Sequence, residues 1–245
     1  MNSSARNSIR NLHQTFFLLF IFAVAMGFLE GIVAVYLRQL YYPEGFHFPL
    51  TLLSPEMLKV EWLREITTII MLVSIAWLAG RYFIQRLSYF LFTFAVWDIF
   101  YYIALKLILD WPSSLITWDV LFLIPIPWLG PVLAPVICSL TMIVMAVLYT
   151  YLPGKGHPVI IRPLDWILVL AGSALIFFTF TIDYLNLILR NAKTTDADSP
   201  EVKEQFWKAI TSFVPDHYNW LIFFAGELLI IGSIYFVVKK SISNK

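Results

Sequence analysis

Charge is what this sequence has least of. Only 13% of its 245 residues are charged, against roughly 25% in an ordinary soluble domain, while 60% are apolar and 17% aromatic. That deficit excludes a water-soluble globular chain and places the sequence in the membrane class. Cysteine is nearly absent: the single Cys138, inside an apolar run, rules out an intramolecular disulfide and any multi-cysteine metal site. No glycine-rich phosphate loop, HExxH, GxSxG or dinucleotide fingerprint occurs, so the common nucleotide-binding and hydrolase motifs are missing. The nearest approach, Gly154-Lys155-Gly156, lies in a two-proline turn between apolar segments. No nucleic-acid partner is expected; the partner is the lipid bilayer, with a homo-oligomer or a larger membrane complex as further candidates.

What is present is a series of long apolar runs separated by short polar breaks. Their lengths predict an all-α, polytopic membrane protein forming a single membrane domain over residues 1–245. Six spanning helices are expected, near Thr15–Leu37, Trp62–Ala79, Leu87–Leu109, Pro131–Leu152, Leu164–Leu189 and Tyr218–Val238. A β-barrel is disfavoured because the runs are continuous rather than alternating. Arg6 and Arg10, followed by an apolar stretch and Ala23-Val24-Ala25, have the outline of a secretory signal. Hydrophobicity continues to Leu37, however, and the first helix is read as a retained span.

Basic residues fix the expected orientation. Arg6, Arg10, Arg81, Arg86, Lys155, Arg162, Lys239, Lys240 and Lys245 fall in the N-terminal arm, two loops and the C-terminal tail. Glu44, Glu56, Asp110, Asp119, Asp196, Asp198, Glu201, Glu204 and Asp216 fall in the other three loops. The positive-inside rule then puts both termini in the cytoplasm. The outer side is the elaborate one. Ser54-Pro55-Glu56 and Ser199-Pro200-Glu201 read as capped helix starts. The second opens an amphipathic interfacial helix with Val202, Phe206, Ile210 and Phe213 on its apolar face. The Pro- and Trp-rich segment 111–131 cannot be one uninterrupted helix; an interfacial helix with a rigid turn and a shallow re-entrant element both fit it.

The functional signal is a set of carboxylates inside apolar runs. Glu30, Glu65, Asp98, Asp183 and Glu227 come from five different helices and all fall in the outer half, the four deeper ones about 9–16 Å below the surface at ~1.5 Å per residue. An acid at such depth is costly unless it faces protein or water. Gly27, Gly31 and Ala34 share a face with Glu30, which suits close helix contact. Tyr101 and Tyr102 stand three and four residues beyond Asp98, within reach of a hydrogen bond to it. Arg64 can pair with Glu61 and leave Glu65 free, and Thr179, Asp183, Asn186 and Arg190 form a polar stripe in which Asp183 can pair with Arg190. His217, beside Asp216, is a candidate ligand or proton acceptor, whereas Glu44 and His47 have a di-metal spacing in a loop, where that spacing carries little.

The stretches YLRQLYYPEGFHFPL and WDVLFLIPIPW resemble segments of uncharacterised bacterial integral membrane proteins. The resemblance implies a multi-pass protein of the bacterial inner membrane and carries no activity or site residues. From the residues themselves, cation or proton binding and translocation through an outward-facing acidic cavity is the first expectation, with a divalent cation as candidate cofactor. A membrane enzyme acting at the outer leaflet by metal or acid–base chemistry is the second. A non-catalytic accessory subunit, its acids specifying helix packing, is the third.

Overall fold

The structure, a computed structural model, describes residues 3–51, 53–192 and 212–243. Its helices are α1 (Ser3–Tyr41), α2 (Pro55–Ala79), α3 (Phe83–Leu109), α4 (Leu133–Gly154), α5 (Pro163–Ala192) and α6 (Trp220–Ser243). Each contains a stretch long and apolar enough to cross a membrane, which makes the chain a multi-pass membrane protein. The helices exceed the expected spans at most ends. Nothing between Ser3 and Thr15 breaks a helix, so α1 runs well beyond its apolar stretch. At α2 the expected cap and the expected span are one element: the Ser54 hydroxyl accepts from the Met57 amide at 3.2 Å, and Pro55 takes the first turn.

Segment 111–131 is not the interfacial helix that was one of the two elements expected of it. It forms an antiparallel hairpin, β1 (Trp118–Phe122) and β2 (Trp128–Pro131), with Asp119 opposite Gly130 and Phe122 opposite Trp128. Aromatic and β-branched residues favour strand here, and the proline-rich stretch between supplies a turn whose Pro125 and Pro127 have no N–H to satisfy. The Trp128 indole closes that turn by donating to the Ile124 carbonyl at 2.8 Å. Strand backbone is tolerated in a membrane bundle only when protein covers it, and β2 is buried from Leu129 to Pro131. The expected amphipathic helix, with Val202, Phe206 and Ile210, lies outside the described residues. Phe213 is described, its ring against Tyr184 with centroids 6.0 Å apart.

Packing organises the bundle into two leaves joined by α3 and α4. In one leaf α1 lies along α3, and a Cβ on Gly27 or Gly31 would meet Phe100 or Ala104 of α3 at 2.7–2.8 Å. In the other, α5 and α6 touch backbone to backbone: a Cβ on Gly172 would meet the Gly226 carbonyl at 2.5 Å, and one on Gly226 the Gly172 carbonyl at 2.7 Å. The hairpin wedges between the leaves, its Phe122 ring beside Phe94 and Trp97 and its Trp128 ring beside Phe177 and Phe180. Small residues at such crossings substitute close van der Waals contact for the hydrophobic drive that lipid does not supply.

Gly226→Ala should therefore lower stability by roughly 1–3 kcal/mol through overpacking. Gly232→Ala, where nothing lies within 4 Å of the added carbon, should be neutral or gain up to about 1 kcal/mol from helix propensity. Thermal unfolding of the two variants side by side in detergent checks the contrast.

Candidate functional site

One end of the bundle is hollow. The last turns of α1, the first half of α2, the second half of α3, the loop after α1 and the hairpin enclose a cavity of about 910 Å³. Most of its wall is apolar or aromatic, including Leu37, Tyr41, Trp62, Trp97 and Tyr184. Its polar groups come from all three helices and from β1. Glu30, Glu65 and Asp98, three of the five carboxylates singled out from sequence, line it together with Glu61, Arg64, Arg38 and Asp119.

Each of these groups is held by a partner. Arg64 pairs with Glu30 of α1 and with Glu61 of its own helix, at 2.8 Å to the latter, and the Thr68 hydroxyl donates to Glu30 at 3.2 Å. The expected Glu61–Arg64 pair is present, but Arg64 also crosses to α1. Glu65, left without a cation as expected, accepts the Leu123 amide with both oxygens, at 2.9 and 3.1 Å. That amide is the first beyond the paired part of β1, where ladder bonding has ended, so Glu65 completes the backbone of the proline turn. Asp98 accepts from the Ser139 hydroxyl of α4 at 2.8 Å. The phenols expected to bond it do not: Tyr101 and Tyr102 line the cavity, and the Tyr102 hydroxyl lies close enough to Asp119 to stabilise that carboxylate instead. Three and four residues along a helix put the two rings on the same side as Asp98 without setting the direction of their hydroxyls.

Arg38 and Asp119 are the residues that sequence reasoning missed. The guanidinium donates to the Asp119 carboxylate at 3.0 Å, and its central carbon sits 3.6 Å from the Trp111 ring centroid and 4.5 Å from that of Phe46. Both residues are buried, at 8% and 2% exposure. Burial raises the Asp119 carboxyl above the ordinary range, and Arg38, the Val120 amide and Tyr102 pull it part of the way back. A signal existed in their isolation: Arg38 is the only Lys or Arg between Arg10 and Lys59, and Asp119 the only charged residue between Asp110 and Lys155.

The other candidates lie elsewhere. Glu227 on α6 is buried behind α4, where Thr141 donates to one carboxylate oxygen at 2.8 Å and the other has no hydrogen-bond partner. Cys138, one residue before Ser139, interacts with both Glu227 and Asp98. Asp183 sits near Asp216 and the exposed His217, at the same end of the bundle but outside the cavity. Its expected partner, the Arg190 side chain, lies outside the described residues. Nearby, Thr179 and the buried Tyr218 hydroxyl bond at 2.8 Å, and burial pushes the Tyr218 phenol well up. Among the described residues no group of three or more His, Cys, Asp or Glu is arranged to hold a metal ion, so the divalent-cation expectation finds no donor set. In the densest acidic patch the Arg64 guanidinium already occupies the position between Glu30 and Glu61. No family model, curated protein or solved structure matches the chain.

The buried pair generates a test with a sign. Asp119→Asn leaves Arg38 buried and uncompensated and should cost about 3–5 kcal/mol, whereas replacing both residues by apolar ones of similar volume should cost much less. Thermal unfolding of the single and double variants side by side reads the contrast, and a single variant as stable as the double one would remove the pair from this role.

Proposed function

We propose that the chain is a bacterial inner-membrane protein, both termini in the cytoplasm, whose cavity binds an amphipathic, membrane-soluble molecule and acts on its polar end by acid–base chemistry at the outer leaflet. The observation that carries this reading is the convergence of Glu30, Glu65 and Asp98 on one cavity of about 910 Å³ whose wall is otherwise largely apolar and aromatic. A lone ion is held by a close coordination shell and has no use for such a volume. A mostly apolar hollow with a few convergent polar groups is the form taken by sites for organic ligands.

The carboxylates divide by their partners. Glu30 and Glu61 balance the charge of Arg64, and Asp119 that of Arg38, which makes them positioning groups. Glu65 is fixed by a backbone amide and Asp98 by one hydroxyl, and neither makes an ion pair among the described residues. These two can exchange a proton with a bound molecule, and Asp98, set among Trp97, Tyr101 and Tyr102, is assigned as the general acid or base. Cation or proton translocation is the second reading. It is favoured by Glu227, whose unpartnered oxygen lies behind the helix that carries Ser139, Cys138 and Thr141.

Asp98→Asn should lower turnover of a co-purifying or extracted lipid about 10²–10⁴-fold while leaving its retention, followed by mass spectrometry, unchanged. Ala34→Trp, which fills the cavity, should abolish retention itself; full retention in that variant would remove the cavity from the reading. If Glu227→Gln instead abolishes dissipation of a pH gradient by the wild type in proteoliposomes, translocation takes precedence. For the orientation, a cysteine placed at 44 in a Cys138→Ser background should label from the outside and one placed at 155 only after the membrane is opened. The reverse pattern would invert the proposed topology.

A further inference from the structure

The end of the bundle opposite the hairpin is built differently. Arg81, Arg86, Lys155, Arg162, Lys239 and Lys240 gather there, and Asp165 is already engaged: it accepts the Arg162 amide at 2.7 Å and the Lys240 ammonium at 3.2 Å. Arg86 is spent on the Gly80 carbonyl and on the Trp77 ring, 3.8 Å from its centroid. Arg81 and Arg162 are exposed and have no ion pair among the described residues. The segments that follow Arg81 and flank Arg162 wall a crevice of about 770 Å³, lined by Phe83, Ile84, Val159, Ile160, Trp166 and Leu170. It separates the start of α3 from the segment that leads into α5, and the Phe83 and Trp166 rings stand 6.1 Å apart across it.

The geometry points to a site for an anionic phospholipid: one acyl chain in the crevice and the headgroup phosphate on Arg81 and Arg162. The apolar walls reject anything without a hydrocarbon part. Arg81 stands two residues before Phe83, and Arg162 next to Ile161 and four residues before Trp166, so the two exposed cations adjoin opposite walls of the crevice along the chain. Guanidinium forks bind phosphate oxygens in pairs, which suits a phosphodiester at this position. The excess of uncompensated positive charge selects an anionic headgroup over a zwitterionic one, as basic pockets between spanning helices do on the cytoplasmic side. Lys240, which also donates to the Ile160 carbonyl at 3.4 Å, anchors the crevice wall to the end of α6, so an occupied crevice should stiffen that end of the bundle.

The site is separate from the hairpin-end cavity and stands or falls without it. The test uses the full chain in detergent, with dioleoylphosphatidylglycerol, dioleoylphosphatidylcholine or soluble glycerol phosphate added, and reads both thermal unfolding and lipid retention in native mass spectrometry. The glycerol lipid should raise the unfolding midpoint by a few degrees more than the choline lipid and remain bound. Arg81→Ala/Arg162→Ala should unfold like the wild type in the choline lipid and lose the difference, and Ile160→Trp, which fills the crevice, should lose retention. Equal protection by both lipids, an undiminished effect in the double variant, or protection by glycerol phosphate alone would each overturn the site.

Discussion

The Arg38–Asp119 pair is the contact on which the hollow end of this bundle depends. It joins the last turn of α1 to the first strand of the hairpin, with Trp111 and Phe46 closing on the guanidinium from the segments on either side. Two stretches of chain that are far apart in sequence, 38–46 and 111–119, meet at one cation. A buried ion pair of this kind adds little net stability, but removing one partner strands the other in a low-dielectric interior, so the arrangement tolerates few alternatives. The hairpin must sit where Asp119 reaches Arg38, and that placement leaves the cavity beneath it open.

Once the hairpin is placed, the remaining polar contacts follow from the need to satisfy buried groups. The proline turn ends the ladder at Phe122, the Leu123 amide is left over, and Glu65 takes it. Arg64, one residue before Glu65 on α2, reaches the opposite side and draws Glu30 and Glu61 together. Asp98 is bonded from α4, the helix that continues directly from the hairpin. Fixed partners of this sort hold the cavity's carboxylates in one geometry before any ligand arrives, and such preorganisation is what acid–base and electrostatic catalysis require.

The number and approximate extent of the spans were legible from sequence because a run of some twenty apolar residues has one stable outcome in a bilayer. The Ser54-Pro55 start was legible for a local reason, since capping is decided within one turn. Convergence of Glu30, Glu65 and Asp98 was not, because helix order around a bundle leaves no trace in the periodicity of any single helix. The hairpin was missed because its prolines said only that a helix must break, and strand pairing is a property of two segments rather than one. Asp119 reads as a loop acid, and its burial with Arg38 depends on the hairpin folding back into the bundle, of which their isolation among uncharged residues is the one hint in the sequence.

The two ends of the molecule differ in a way that bears on what it does. A conduit needs polar groups along its whole length. Here the cavity's acids and cations lie at the hairpin end, the Asp165–Lys240 pair lies at the other, and between them, at the level of Met145, Tyr149, Ile234 and Val237, the bundle closes in a largely apolar core. Tyr149, Thr150, Ser241 and Ser233, whose hydroxyl donates to the Asp165 carbonyl at 2.9 Å, are polar interruptions there. Proton passage would need water to enter that core, whereas binding from the bilayer or from the hairpin end needs only the cavity that exists. This difference is what supports the proposed binding site over the translocation reading.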